Sequence, residues 1–446
     1  MKKVYLSVIG FSLLCRLNAS AQSSTDSSPI KPATNTYIPI GYDTSDYRPR
    51  RLRLDEINLV TSYYNQTGDH SAVLGGSTAI PGNQDVVDFS NGLDLKLVWF
   101  DQGLRKNTLT AGLGIDYHSS ASSKWVAKDG LGNPVGDRIY PSLDWTIEND
   151  KKGTSFGIGT YLSHEYNYKS FGADLHYSAK TNDKMGEFSA KLQGYFDQVT
   201  LIYPYEFVKP PTVVVTQPGT TTYTTASGNV ITVNSNGSRT TTKNSIGSSP
   251  RNTLTAAFSY SQIINSRMQV SFLGDLVAQS GYLGLPFHRV YFNGGKDSLV
   301  EKLPSNRFKL PLGVRLNYFL GDNIILRSYY RYYMDTWGTK ANTANLEVAY
   351  KVTPFFSISP FYRFYSQSAA KYFAPYGEHS LTDQYYTSNY EYAQFQSSFY
   401  GVGIRLAPPK GVFGISNLHE LELRYGHYSQ TTDLASDVVS LSLGFK

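Results

Sequence analysis

Two short segments of the chain share an acid–histidine pattern that could bind a ligand. They are Gly68-Asp69-His70-Ser71 and Gly377-Glu378-His379-Ser380. An acidic neighbour can fix the tautomer of an imidazole, so two such pairs brought together would form a site for a divalent metal or another ligand. Gly, Asp and Ser also make hydrogen bonds in ordinary turns, with the histidine packed beside them. The turn interpretation is the simpler one, and the metal site stays a secondary hypothesis.

A hydrolase would need a serine nucleophile, a histidine base and an acid, with Ser71 or Ser380 as the candidate nucleophile. Residues adjacent on one loop seldom point at each other, so such a triad would have to be assembled across loops. The sequence contains no Gly-x-Ser-x-Gly motif, phosphate-binding loop or zinc-ligand spacing. A barrel hydrolase is therefore the least favoured function, and we assign no catalytic residue.

Charged residues alternate with apolar ones through the second half of the chain. On a strand, this alternation places the charges on the face opposite the apolar residues. Arginines on one wall of a pore, with acids such as Asp94, Asp116 and Asp174 on the other, would sort anions from cations. The alternative is that the charges pair with one another and fill the interior structurally. We call this set the lumen charge wall: Arg315, Arg327, Arg331, Arg363, Arg405, Glu347, Glu420 and Glu422.

Sixteen segments of alternating apolar and polar residues would position these charges. Leu109, Ala111 and Leu113, for example, alternate with Thr110 and Gly112. Charged residues in mid-segment do not suit the core of a soluble sandwich, but they suit the hydrated interior of a membrane barrel. The predicted strands are 51–64, 86–99, 106–118, 139–149, 154–165, 169–180, 186–198, 252–262, 267–279, 307–319, 323–334, 342–352, 355–366, 394–406, 418–428 and 437–446.

The connections between these segments alternate between short and long. Tight turns such as 101–105 alternate with longer connections such as 65–85, which is typical of barrels with tight periplasmic turns and long outer loops. Two connections depart from the pattern, a short one at 166–168 and a long one at 407–417. The longest, 204–251, is rich in Thr and Ser and is predicted to be an outer excursion, a small hairpin or a plug.

The last segment, 437–446, has the pattern of a closing strand. Leu441, Leu443 and Phe445 fall on one face, with small or polar residues on the other. An edge strand of a soluble sandwich would share this pattern. The composition favours the barrel, because aromatic residues make up 14% of the chain and charged residues only 17%, and aromatic rings suit the membrane interface. We predict an all-β fold, a transmembrane antiparallel β-barrel of about sixteen strands, with fourteen as the alternative count.

Residues 1–21 have the pattern of a secretory signal peptide. Lys2 and Lys3 precede an apolar stretch, and Ala19-Ser20-Ala21 forms a small-residue cleavage site. Residues 22–50 are rich in Ser, Thr and Pro, which predicts a flexible periplasmic tether.

The predicted cleavage removes Cys15, the single cysteine, and leaves no thiol for a disulfide or a metal. Without Lys2, Lys3 and Arg16, the formal net charge of +6 becomes +3. So small a charge does not indicate a nucleic-acid partner.

Several stretches of the chain resemble one family of bacterial outer-membrane proteins. That family is uncharacterised, a numbered domain of unknown function, and the resemblance extends over nearly all of the chain after the signal. It implies a barrel in the outer membrane and supplies no activity or catalytic residue. The Thr-rich loop 212–245 lies outside it. The motifs are Gly68-Asp-His-Ser-Ala-Val73, Ser305-Asn-Arg-Phe-Lys-Leu-Pro-Leu-Gly-Val-Arg-Leu-Asn-Tyr318, Leu326-Arg-Ser-Tyr-Tyr-Arg-Tyr-Tyr333, Pro360-Phe-Tyr-Arg-Phe-Tyr365, Tyr376-Gly-Glu-His-Ser-Leu-Thr-Asp383 and Leu423-Arg-Tyr-Gly-His-Tyr428.

Together these features predict a barrel over 51–446 in the bacterial outer membrane, with both termini periplasmic. The expected function is a pore or transporter for small polar solutes with a weak anion preference. The alternative is a structural or assembly barrel that binds another envelope protein. The expected partners are outer-membrane lipid, the barrel assembly machinery and a small polar solute, without nucleic acid. No cofactor is expected, apart from the metal hypothesis for Asp69, His70, Glu378 and His379.

Overall fold

The structure is a computed structural model, and its described residues belong to one compact unit, Arg48–Lys446. The predicted signal peptide, 1–21, and the predicted tether, 22–50, lie outside the described residues, as does Ser71. The described residues are 51–70, 84–120, 136–165, 167–202, 213–217, 220–224, 230–234, 236, 238–242, 247–294 and 298–446.

Strands account for most of the described residues. Two single-turn 3-10 helices, Tyr390–Tyr392 and Val412–Gly414, occur among them, and no described helix is long and apolar enough to cross a membrane. The strands are β1 (Arg53–Gly68), β2 (Val86–Phe100), β3 (Lys106–Ser120), β4 (Gly136–Asn149), β5 (Thr154–His164), β6 (Tyr168–Lys180), β7 (Gly186–Thr200), β8 (Val213–Gln217), β9 (Thr220–Thr224), β10 (Val230–Asn234), β11 (Arg239–Thr242), β12 (Ser248–Asn265), β13 (Met268–Gly281), β14 (Arg289–Tyr291), β15 (Ser298–Val300), β16 (Asn306–Leu320), β17 (Ile324–Asp335), β18 (Lys340–Thr353), β19 (Phe356–Gln367), β20 (Phe395–Leu406), β21 (Leu418–Gln430) and β22 (Leu434–Phe445).

Sixteen of these strands form one closed antiparallel barrel. The ring runs in chain order from β1 to β7, then through β12, β13 and β16 to β22. The last strand pairs with β21 on one side and with β1 on the other, where Leu441 lies opposite Thr61, Leu443 opposite Leu59 and Phe445 opposite Ile57. This pairing leaves no open sheet edge in the barrel. The predicted sixteen-strand antiparallel barrel is confirmed.

The outer face of the barrel is apolar. Large side chains such as Leu192, Phe272 and Tyr330 lie about half exposed on it, whereas a soluble monomer rarely exposes an apolar surface of this extent. Successive residues of a strand point to opposite faces, so the polar residues between these side chains face the interior. The two-residue repeat of the sequence therefore corresponds to an apolar outside and a polar inside.

The two ends of the barrel differ in their connections. We call the end with the connections 101–105, 150–153 and 181–185 the short-loop end, and the opposite end the long-loop end. The connection 407–417 is a longer one at the short-loop end, as predicted. The turn 431–433, between β21 and β22, is a tight one at the long-loop end.

A second sheet lies in the long connection between β7 and β12. Strands β8 to β11 form an antiparallel meander in the order β11-β10-β9-β8, with Val230 paired to both Thr224 and Thr242. The predicted Thr- and Ser-rich excursion therefore contains four short strands among its described residues. A small hairpin is one of the predicted forms, and the four-stranded meander has two more strands than a hairpin.

Two connections at the long-loop end fold together into a structure that we call the cap, residues 282–294, 298–305 and 368–394. Within the cap, β14 pairs with β15, and backbone bridges join Phe292 to His379 and Lys302 to Tyr386. Its apolar core packs against Trp337, which follows β17 and is 1% exposed. Two chain segments far apart in sequence thus form one small core at the barrel mouth.

The cap is attached to residues that face the barrel interior. Arg251 on β12 donates hydrogen bonds from Nε and Nη2 to the carbonyl oxygens of Tyr282 and Gly284, at 2.8 and 2.9 Å. Arg307 on β16 lies against the Trp337 ring, with 4.4 Å between the guanidinium carbon and the ring centroid. The cap therefore extends inward over the long-loop mouth.

Candidate functional site

Besides Arg307, which contacts the cap, six arginines on β16 to β21 face the barrel interior. Their chain neighbours Val314, Tyr330, Tyr362 and Leu423 are exposed on the outer face, so the alternation of the strands turns the arginines inward. An arginine facing lipid at mid-membrane would cost about 2–4 kcal/mol, which explains this orientation. The six are Arg315, Arg327, Arg331, Arg363, Arg405 and Arg424.

A cavity of about 1320 Å³ lies along this wall. It extends to Tyr365 and Phe395, the lining residues close to the two ends of the cap segment 368–394. Glu347 is the one carboxylate among its described lining residues. Arg405 is not part of the lining. The arginines that line the cavity are Arg315, Arg327, Arg331, Arg363 and Arg424.

The predicted glutamates of the lumen charge wall pair with three of the arginines. Glu347 accepts hydrogen bonds from Arg327 at 2.7 Å and from Arg424 at 2.9 Å, one on each carboxylate oxygen. Arg424 also donates to Glu422 at 3.0 Å. Since its two oxygens are already engaged, Glu347 is poorly placed to neutralise a further arginine of the cavity.

The third glutamate forms a separate pair at the short-loop side of the wall. Arg405 donates to both oxygens of Glu420, at 2.8 and 2.7 Å. This bidentate geometry is the strongest arrangement for a guanidinium and a carboxylate. Arg405 and Glu420 therefore form a self-contained pair, distinct from the residues that line the cavity.

Three arginines have no ion-pair partner among the described residues. Arg315, Arg331 and Arg363 have no carboxylate oxygen within 4.0 Å there. Each guanidinium lies over an aromatic ring instead: the rings of Tyr329, Tyr333 and Phe399, with 5.8, 5.9 and 5.5 Å to the centroids. Contact with a ring face leaves the N–H edge of a guanidinium free to donate to an anion.

Acidic residues are concentrated on the opposite side of the ring. In the order of sixteen strands, β3 to β6 stand opposite β17 to β20. Asp116 accepts a hydrogen bond from Tyr140 at 2.7 Å and lies 3.7 Å from Arg138. The Tyr140 ring fits over Gly114, where an added Cβ would lie 1.9 Å from the ring. The interior thus has an arginine-rich wall and an opposing wall that carries carboxylates and tyrosines.

One group on the acidic wall was not identified from the sequence. Ligand atoms of Asp144, Asp174 and His176 lie within 4.8 Å of one another, and no other group of three such residues occurs in the described chain. They meet across Gly159, which is paired with Asp144 on one side and Asp174 on the other. Lys191 lies 3.3 Å from Asp174 and already balances part of its charge. The sequence alone does not show this group, because it depends on which residues pair across neighbouring strands.

The predicted acid–histidine pairs lie at the long-loop end. The His379 ring contacts Asp383 at 3.1 Å through Nδ1 and the Thr387 carbonyl at 2.9 Å through Nε2. The His70 ring packs on Tyr390 of the cap, with 3.9 Å between centroids, and its buried Nδ1 has no hydrogen-bond partner among the described residues. The Glu378–His379 pair is therefore part of the cap, and His70 of the other pair contacts the cap.

The acidic neighbours of both histidines, and Ser380 beside His379, occupy exposed positions. Asp69 and Glu378 are exposed, and Glu378 lies close enough to Tyr390 to add to the rise that burial causes in the pKa of that tyrosine. The Ser380 hydroxyl bonds to Thr382 at 2.8 Å. Both nitrogens of its neighbour His379 are engaged elsewhere, so no serine–histidine hydrogen bond forms at this loop.

A buried carboxylate, Glu301, lies inside the cap. It is 5% exposed and accepts hydrogen bonds from the Leu285 N–H, at 2.6 Å, and from the Thr387 hydroxyl. Burial raises the pKa of Glu301 to about 7; Glu391 adds to the rise, and the two hydrogen bonds and Arg251 oppose it. No local motif marks this residue, because two distant loops must fold together to bury it.

A family model described as a protein of unknown function, DUF3570, matches residues 136–439. This match covers more than half of the chain. The chain belongs to the DUF3570 family. The predicted resemblance to a family of unknown function is thereby confirmed, and the matched range includes every arginine that lines the cavity. No curated protein matches the chain.

The fold of this DUF3570 protein is similar to several solved structures at very low sequence identity. A BenF-like porin from Pseudomonas fluorescens Pf-5 has 7% identity and a TM-score of 0.40, over 90% of this chain and 100% of that one. OccK5 (OpdH) of Pseudomonas aeruginosa has 8% identity and a TM-score of 0.36, over 87% of this chain and 97% of that one. The outer membrane protein OprD of Pseudomonas aeruginosa has 9% identity and a TM-score of 0.35, over 89% of this chain and 94% of that one. Similarity of this degree carries no argument about the solute.

Proposed function

We propose that this DUF3570 protein is a pore of the bacterial outer membrane that passes small polar solutes with a weak preference for anions. The observation that carries the proposal is the lining of the cavity, in which five arginines accompany a single glutamate, Glu347. Three of those arginines have no carboxylate partner among the described residues. The excess of positive charge along this wall would raise the local concentration of anions.

The dimensions of the barrel support an aqueous path. A ring of about sixteen strands is usually too wide for its own side chains to fill. Charges on the interior wall are then hydrated, and their field is focused by the low-dielectric membrane around them. Because the opposite wall carries carboxylates, cations would find a path of their own, which keeps the expected anion preference weak.

Conductance in planar bilayers tests whether the barrel is a pore. Purified full-length protein should give discrete conductance steps, and vesicles that contain it should swell in isotonic solutions of small polar solutes. Swelling rates should fall as the solute grows larger. Folded, heat-modifiable protein that inserts into vesicles and yet gives neither conductance nor swelling would contradict the proposal.

A second candidate is a closed barrel that binds another envelope protein. The cap favours it, because the cap extends inward over the long-loop mouth and is anchored there by Arg251. Strands β8 and β11, the outer strands of the meander, each have an edge with no partner strand among the described residues, and these edges could bind a partner. Absence of conductance in the same bilayer experiment, from protein shown to be folded, would favour this candidate.

A further inference from the structure

The cavity holds more positive charge than the described protein residues neutralise. Glu347 is shared by Arg327 and Arg424, and no described carboxylate oxygen lies within 4.0 Å of Arg315, Arg331 or Arg363. Asp275, on β13, interacts with Arg331 only at longer range. Three guanidinium groups around one cavity repel one another, so an anion from solution would be attracted to them. Contact with aromatic rings favours the positions of the guanidinium groups but does not remove their charge.

The strand register fixes how these three arginines are distributed. Arg315 and Arg363 lie in one row across the wall, because Arg315 pairs with Tyr329, Tyr329 with Asn345, and Asn345 with Arg363. Three strand steps separate their backbones by roughly 14 Å. Arg331, two residues beyond Tyr329 on β17, lies in the next row toward the long-loop end. The positive groups are therefore spread over a surface and do not converge on one point.

We propose that Arg315, Arg331 and Arg363 form a binding site for a small organic anion that carries two or more carboxylate or phosphate groups. Planar guanidinium groups donate two parallel hydrogen bonds to either group, and the spread of the three favours several anionic groups over a single one. Asn345, between them in the register, supplies a neutral donor and acceptor. The inference deepens the proposed function by naming a solute class, and it rests on the same interior wall.

Titration calorimetry on the full-length protein in detergent, at low ionic strength, tests this site. The probes are citrate, pyrophosphate and acetate. We expect citrate or pyrophosphate to bind at least about tenfold more tightly than acetate, as bidentate charged hydrogen bonds predict. Tighter binding of citrate indicates a carboxylate solute and tighter binding of pyrophosphate a phosphorylated one; both support the site. Equal binding of all three probes would overturn it.

Variants separate the site from general charge effects. Arg315→Gln, Arg331→Gln and Arg363→Gln together should weaken binding at least about tenfold, whereas Arg405→Gln, outside the lining, should change it less than about twofold. Should the triple variant fail to fold, Arg363→Lys keeps the charge but loses the bidentate fork and should weaken binding about threefold. Equal losses in Arg405→Gln and in the site variants would overturn the inference.

The outcomes distinguish this inference from the proposed function. Polyanion binding by a protein that gives no conductance would contradict the pore and support the site. Conductance without preferential polyanion binding would support the pore and overturn the site. Calorimetry and conductance are therefore measured on the same preparation.

Discussion

The buried Glu301 predicts that the stability of the cap depends on pH. Its carboxyl group accepts hydrogen bonds from Leu285 and Thr387, which belong to different segments of the cap. Replacement of Glu301 by Gln keeps the shape of the side chain and removes the ionisable group. The amide oxygen can still accept from the Leu285 N–H, and the amide nitrogen can donate to the Thr387 hydroxyl.

The sign and size of the effect follow from the pKa. Folding of the cap raises the pKa of Glu301 from its ordinary value of 4.5 to about 7. Between these values the folded cap binds more protons than the opened one, so its stability falls as pH rises and becomes constant above pH 7. Each unit of pKa corresponds to about 1.4 kcal/mol, so the total effect is roughly 3 kcal/mol. Glu301→Gln should remove this pH dependence.

Hydrogen–deuterium exchange of the cap segments 298–305 and 380–394 measures the effect. After correction for intrinsic exchange, protection in the wild type should decrease between about pH 5 and about pH 8, and protection in Glu301→Gln should stay constant. Glu378→Gln, at an exposed position of the same cap, is the matched control and should behave as the wild type. Constant protection in the wild type, or an unchanged pH slope in Glu301→Gln, would refute the reasoning.

Three further predictions concern the wall, the interior packing and the closure of the barrel. Glu347→Gln should strengthen anion preference, because it removes the one carboxylate of the cavity lining and leaves Arg327 without its ion-pair partner; an unchanged reversal potential would count against this. Gly114→Ala should lower the free energy of unfolding by about 1–3 kcal/mol, since its Cβ would lie 1.9 Å from the Tyr140 ring; Gly92→Ala, with nothing within 4 Å, should be neutral. Equal denaturation midpoints for the two glycine variants would contradict the packing argument. Phe445→Asp should reduce the yield of heat-modifiable barrel on gels while Phe445→Tyr retains it, and equal yields would exclude a role in closure.

The barrel could be predicted from the sequence because lipid outside and a polar interior impose a two-residue repeat on every strand. Strand ends were less predictable. β12 begins at Ser248 and β22 at Leu434, earlier than the repeats that begin at 252 and 437. Hydrogen bonding between neighbouring strands continues beyond the apolar band on the outside of the barrel. There both faces of a strand can be polar, so the two-residue repeat disappears from the sequence.

The contacts of the candidate site could be predicted only in part. The inward direction of the arginines follows from the same repeat. Which of them lack a carboxylate depends on strand register, since Glu347 bonds to Arg327 on the adjacent strand and to Arg424 three strands away. The cap core around Trp337 and the burial of Glu301 depend on loops that fold against each other. No local pattern in the sequence specifies such long-range packing.

The reversal potential of single channels in a potassium chloride gradient tests the central claim most directly. We expect an anion-selective current in the wild type. Replacement of Arg315, Arg331 and Arg363 by Gln should shift the reversal potential toward the equilibrium potential of potassium. The double variant Arg405→Gln/Glu420→Gln removes an ion pair without changing the net charge and should leave the reversal potential in place. A cation-selective wild type, or a selectivity that is the same in the wild type and the triple variant, would contradict the account.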